Sequence, residues 1–250
     1  MEQRKLKLQK KNHLMNLPKI KISPSALENF RSFKEEKYEG TENQVTVEKL
    51  ISFIKGEKKF TPQLTRGKAL HTLLEFGTDK FLLDNGGCLV TTEDKQQVQF
   101  SKYIRRVVDR YRELNQGMIH EIPLSMTMNV MGYEVVSNMR IDGLNPYLDV
   151  PKIHDHKTSS KAYGQVTEYQ YYDSVQWRMY LLTCTDVDIF QYDIFHFQDN
   201  NPQATREIEY YNFQFNREID MEQIVGDWMM GYIKFCEQYN LIDFIKLKSK

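Results

Sequence analysis

Three residues near the middle of the chain have the types and spacing to cut a phosphodiester bond. Asp142 sits in IDGL at 141–144, and Asp155 and Lys157 sit in HDHKTS at 154–159. Alternate residues of a strand project to one face, so on a strand Asp155 and Lys157 point together and His156 points away. If the Asp142 segment pairs with this strand as a hairpin, Asp142 lies beside Asp155. Two converging carboxylates make a hard oxygen site suited to Mg²⁺ or Mn²⁺. A bound ion of that kind lowers the pKa of a water and offsets charge building on a phosphorane-like transition state. A lysine beside it holds or activates the water. Taken alone, the same three residues also read as a surface ion pair, because 27% of the chain is charged.

Two more polar placements bear on the choice. His71 lies in RGKALHTLLEFG, where Leu70, Leu73 and Leu74 make an apolar helix face. A histidine there is either a satisfied core residue or an imidazole aimed at a metal from a rigid support. Gln176 and Tyr180, in VQWRMYLL, stand at i and i+4 and so share one helix face. An amide and a hydroxyl placed so can grip a phosphate or orient a strand of nucleic acid; otherwise they are the polar edge of a half-buried helix.

The elements that must position these residues follow from period and punctuation. Ser23-Pro24-Ser25 opens a first helix, 45–54 reads as a second, and 61–77 as a third ending at Gly77. A further helix is expected over 92–116, opened by Thr91-Thr92-Glu93-Asp94. The period then shortens: 119–128, 132–144 and 150–158 read as an antiparallel meander, with turns at Met131-Gly132 and Asn145-Pro146. Helix returns over 166–183, strands over 187–198 and 206–215, and an amphipathic helix over 219–239. Residues 1–21, with seven Lys/Arg against one Glu, read as a basic arm or a first irregular strand. The order predicts an α/β fold, a central mixed sheet flanked by helices, in one domain over 22–250.

Bulk properties narrow the classes. The hydrophobic share of 40% and 12% aromatics support a packed core and exclude disorder over most of the 250 residues. Basic and acidic residues balance at 34 each, which excludes a uniformly basic DNA coater but not a local basic groove. Cys88, Cys184 and Cys236 are scattered without CxxC spacing, so no structural zinc or iron–sulfur cluster is expected, and the sparse count fits a reducing cytoplasm. No signal peptide is read, and no apolar run approaches the ~20 residues of a membrane helix.

A Gly-x-x-x-His helix, an Asp-Gly strand, an Asp-x-Lys-Thr strand and a Gln-x-x-x-Tyr helix occur here in that order. Together they resemble the PD-(D/E)XK nuclease superfamily, in its RecB-like and lambda-exonuclease-like branch. The resemblance runs from about residue 22 to about residue 240, and ISPSALENFRSF is similar to the branch's first helix. It implies a restriction-endonuclease-like core and Mg²⁺- or Mn²⁺-dependent hydrolysis of DNA, by an exonuclease rather than an endonuclease, in recombination, repair or phage DNA processing. By the same resemblance His71, Asp142, Asp155 and the backbone carbonyl of His156 are metal ligands. Asp142, Asp155 and Lys157 form the catalytic set, Gln176 and Tyr180 contact DNA, and Glu121 is an outer acid. DNA is the implied partner, with a single-strand annealing or recombination protein as a possible second. Two departures stand out: His154 occupies a place before Asp155 that is usually apolar, and the first acidic motif is Ile-Asp rather than Pro-Asp. The alternatives are a nuclease fold that binds nucleic acid without cutting it, and an interaction protein without a metal.

Overall fold

The computed structural model describes residues 17–37, 39–40, 44–57, 61–147, 150–160, 166–198 and 204–247, with the side chains of 204 and 205 left out of the description. Most of the basic arm, residues 1–16, lies outside the described residues. The chain falls into two compact units, one of residues 1–58, 123–139 and 218–250, the other of residues 59–122 and 140–217.

In the first unit, β1 (Lys19–Lys21) runs parallel to residues 134–136 of β5 (Tyr133–Asn145). Helix α1 (Pro24–Lys34) starts where Ser23 accepts from the Ala26 N–H and Pro24 presets the first turn. Helices α2 (Val47–Ile54), α7 (Met221–Gln238) and α8 (Ile242–Ile245) belong to the same unit, where Phe30 meets Trp228 and Tyr232 edge-on. The hairpin of β4 (Ile119–Val130) with β5 turns at Met131-Gly132, both at positive φ (51° and 79°), the backbone that a two-residue hairpin loop needs.

The second unit carries the chemistry-bearing residues. Its core is a mixed sheet in the order β5, β6 (Lys152–Ser160), β7 (Ile189–Phe197), β9 (Ile208–Asn216). β6 and β7 are parallel; β5–β6 and β7–β9 are antiparallel. Helices pack on both faces, as the α/β reading expects. Helix α3 (Pro62–Phe76) and α4 (Lys102–Leu114) share one core with Phe195 and Phe197. On the other face α5 (Tyr169–Tyr172) and α6 (Val175–Thr183) form the crossover from β6 to β7, and Tyr180 stacks on Phe190 with rings 5.8 Å apart. The expected single helix over 166–183 is thus two, broken where the Ser174 hydroxyl caps α6.

One expected element is wrong. Residues 92–100 are not helix: β2 (Cys88–Thr91) and β3 (Gln97–Phe100) form a hairpin, joined to β8 (Ala204–Thr205) in a small sheet of its own. The reason is legible afterwards. Cys88, Val90, Val98 and Phe100 alternate into the core, a period of two. Lys95 takes the positive φ of the turn, and Ser101, not Thr92, caps the helix.

Candidate active site

Each residue is held by an element whose own sequence explains its place. Helix α3 is capped by the Thr61 hydroxyl, which accepts from the Leu64 N–H at 3.2 Å, and ends at Gly77. Its last carbonyls, Leu74 and Glu75, accept from the Arg112 guanidinium at 2.6 and 2.8 Å, a cation at the negative end of the helix. Gly67 lets α3 lie close on β6, for a Cβ there would come 2.9 Å from Thr158 Oγ1. One turn on, His71 is brought to the edge of β6 at His156.

There the β5–β6 ladder stops. Its last described pair is Gly143 with His154, so the next N–H of β6 to need a partner from β5 is that of His156. The Asp142 carboxylate supplies it, accepting from His156 N–H at 2.6 Å through Oδ2. Gly143 beside it leaves room for the Met118 side chain, which a Cβ there would displace. The Asp142 carbonyl lies 3.2 Å from His120 Nδ1 on β4 and accepts from it. The carboxylate thus satisfies a backbone N–H that the parted strands would leave unpaired, and its other oxygen stays turned toward His71.

Around the opening His71 Nε2 lies 3.0 Å from the His156 carbonyl oxygen, and Nδ1 lies 3.8 Å from Asp142 Oδ1. Asp155 and Lys157 project together toward α6, with Nζ 2.7 Å from Asp155 Oδ2. Asp155 Oδ1 accepts from Gln176 Nε2 at 2.9 Å; the same amide reaches the Tyr180 hydroxyl at 3.0 Å, and that hydroxyl donates to the Arg140 carbonyl at 3.1 Å. The structure therefore brings His71, Asp142, Asp155, His156, Lys157, Gln176 and Tyr180 together. Glu121 sits at the rim, paired with Arg140 at 2.5 Å.

The electrostatics suit a cation. Burial and the neighbouring Asp155 push the Asp142 carboxyl up to about 8, so without a counter-ion it keeps a proton at neutral pH. Burial lowers the His71 pKa despite the nearby carboxylate of Asp155, leaving a neutral imidazole, the form that ligates. The donor set of imidazole, carboxylates and carbonyl fits a divalent ion, which would take the places of the protons on Asp142 and His71 Nε2.

No family model and no curated protein matches the chain. Among solved structures it is similar to SSO0001 (TM-score 0.45, 14% identity, covering 92% of this chain and 83% of that one). It is similar to an alkaline exonuclease from Laribacter hongkongensis (TM-score 0.39, 14% identity, 88% and 91%). A phage-related exonuclease from Haemophilus somnus 129PT gives a TM-score of 0.41 at 13% identity, with 88% and 95% covered.

A second polar cluster escaped the sequence reading. On the face of the sheet toward α4, Asp193 of β7 is fully buried and receives four donors: His154 Nδ1 and the Tyr111 hydroxyl at Oδ2 (both 2.7 Å), the Tyr210 hydroxyl (2.6 Å) and Gln191 Nε2 (2.7 Å) at Oδ1. Burial works against its charge, yet His154, His156 and Tyr210 hold its pKa below the ordinary carboxylate value. The available signal was a lone acid inside the apolar strand IFQYDIFHF, together with the His154 that had looked out of place.

Proposed function

We propose that the protein is a divalent-metal-dependent nuclease that hydrolyses phosphodiester bonds of DNA, working from ends as an exonuclease in recombination, repair or phage DNA processing. The observation that carries this reading is the opening between β5 and β6, where Asp142, Asp155, His71 and the His156 carbonyl converge with Lys157 beside them. A surface ion pair needs none of that construction.

His71, Asp142, Asp155 and the His156 carbonyl would hold Mg²⁺ or Mn²⁺. When bound, the ion supplies Lewis acidity toward a phosphate oxygen and a water of lowered pKa. The chain's own residues do the rest. Lys157, half-exposed and anchored on Asp155 Oδ2, orients the attacking water and sets a positive charge where the phosphate becomes more negative. Gln176 fixes Asp155 through Oδ1 and is itself fixed by Tyr180. With Tyr180 it forms the wall along which a DNA strand would run. The buried backing of the site, from Tyr192 and Phe190 below Asp155 and Tyr180, keeps the local dielectric low and the fields strong.

The test is digestion of end-labelled linear DNA and closed circular DNA by the full chain with Mg²⁺ or Mn²⁺. Metal-dependent loss of the linear substrate with the circle intact is expected. Cleavage of the circle would reassign the enzyme as an endonuclease. No cleavage of DNA or RNA with either ion, by protein shown to be folded, would end the nuclease reading.

A further inference from the structure

We propose that the metal centre takes the imidazole of His156 and not only its carbonyl, so that two histidines and a carboxylate (His71, His156 and Asp142) select a first-row transition ion over Mg²⁺. The proposal rests on the nuclease reading and specifies its cofactor.

Three observations lead there. First, ligand-capable side-chain atoms of His71, Asp142 and His156 lie within 4.8 Å of one another. Second, the His156 ring is held in one tautomer. A carboxylate only accepts, so the Tyr111 hydroxyl spends its single proton on Asp193 Oδ2 at 2.7 Å. Its oxygen, 2.9 Å from His156 Nε2, must then accept, which places the imidazole proton on Nε2 and leaves the lone pair on Nδ1. A carboxylate–tyrosine–imidazole chain of this kind is the outer support that orients a metal-binding histidine and raises its basicity. Third, the support is costly. His154, Tyr210 and Gln191 are all committed to keeping Asp193 as a buried anion. A carbonyl ligand at position 156 asks nothing of its side chain, and an apolar residue would pack against Phe195 and Tyr111 without that network.

Imidazole suits Mn²⁺, Fe²⁺ and Co²⁺ better than Mg²⁺, which favours oxygen ligands and retained water. The pair His71 and His156, with rings 5.6 Å apart and edge-to-face, gives the centre two such ligands. Tyr111 and Asp193 are positioning residues, acting on the ion only through His156.

The experiment is pulsed electron paramagnetic resonance of the full chain loaded with Mn²⁺, with calorimetric titration of Mn²⁺ and Mg²⁺. Wild type is expected to show nitrogen couplings from two imidazoles, and His156→Gln from one. Tyr111→Phe keeps the ring but removes its support, and its Mn²⁺ Kd is expected to rise by about 10–100-fold with Mg²⁺ binding changed far less. If His156→Gln does not fold, wild type and Tyr111→Phe decide alone. A single imidazole coupling in wild type would overturn the proposal and leave His156 a buried core histidine, with the nuclease reading intact. An unchanged Mn²⁺ Kd in Tyr111→Phe would also overturn it. Absence of Mn²⁺ and Mg²⁺ binding in wild type would remove the nuclease reading with it.

Discussion

Asp193 and Asp142 are both withdrawn from water, and both reach His156, one through Tyr111 to the ring and one directly to the backbone N–H. Asp193 has its four donors and a pKa held low. Asp142 has the His156 N–H on one oxygen, a half-buried neutral histidine near the other, and a pKa pushed up to about 8. One carboxylate is finished by the fold; the other is left short of positive charge. That contrast in partners and charge, together with the deeper burial of Asp193 (0% exposed against 16% for Asp142), separates a structural anion from one left open to a cation.

The largest expected effect tests the unfinished side. Asp142→Asn or Asp155→Asn removes a metal-binding charge and is expected to lower cleavage by at least about 10³-fold, the several kcal/mol that a catalytic ion supplies. Circular dichroism is expected to be unchanged. Substantial activity in either variant would detach the opening between the strands from catalysis.

Stability is expected to move in opposite directions at the two sites. Asp193→Ala leaves His154, Tyr111, Tyr210 and Gln191 with unmet buried donors, at a cost of about 3–5 kcal/mol. For a chain of this size that lowers Tm by roughly 6–20 °C. Asp142→Asn keeps the oxygen that accepts from His156 N–H and removes the uncompensated charge, so metal-free protein at pH 8 to 9 is expected to melt about 2–6 °C higher. The sign follows from linkage. The folded pKa of Asp142 lies above the unfolded value, so its stabilising proton is fully present below the unfolded pKa near 4 and is lost as pH rises through about 8. A thermal shift series in which both variants melt lower would mean Asp142 is a structural anion like Asp193.

The pH dependence of metal binding gives a smaller, graded effect. The ion must displace the proton that Asp142 keeps below about 8. The apparent Mn²⁺ Kd is therefore expected to fall about tenfold per unit between pH 6 and 7.5 and to level off above about 8. Calorimetry across that range that gives a flat Kd would place the ion away from Asp142.

How much of this was legible beforehand differs between the same two places. His71, Asp142, Asp155, His156, Lys157, Gln176 and Tyr180 could be picked out because each sits in a short pattern on an element of clear period. The mixed sheet followed from the alternation of helix and strand. The β2–β3 hairpin was missed because Gln96, Gln97 and Gln99 are as acceptable in a helix as in a strand, and the deciding apolar partners are supplied by α3 and β7. The Asp193 cluster was missed for a deeper reason. Its members come from α4, β6, β7 and β9, and only the register that sets His156 beside Asp193 and Asp193 beside Asn212 brings them together. No local pattern contains that information.

Gln176 offers the finest division between finished and unfinished parts. The sequence resemblance leads to the expectation that Gln176 contacts DNA, but its amide is engaged with Asp155 Oδ1 and Tyr180. One hydrogen bond to a charged group contributes about 1.5–3 kcal/mol. If Gln176 acts by fixing Asp155, Gln176→Ala is expected to lower kcat by about tenfold to a hundredfold with KM nearly unchanged. Tyr180→Phe, which withdraws only the support of the amide, is expected to do less. A raised KM at constant kcat would instead mean that DNA takes the amide away from Asp155 in the complex, leaving Lys157 as the partner that holds the carboxylate. Steady-state kinetics on a single end-labelled duplex distinguishes the two outcomes.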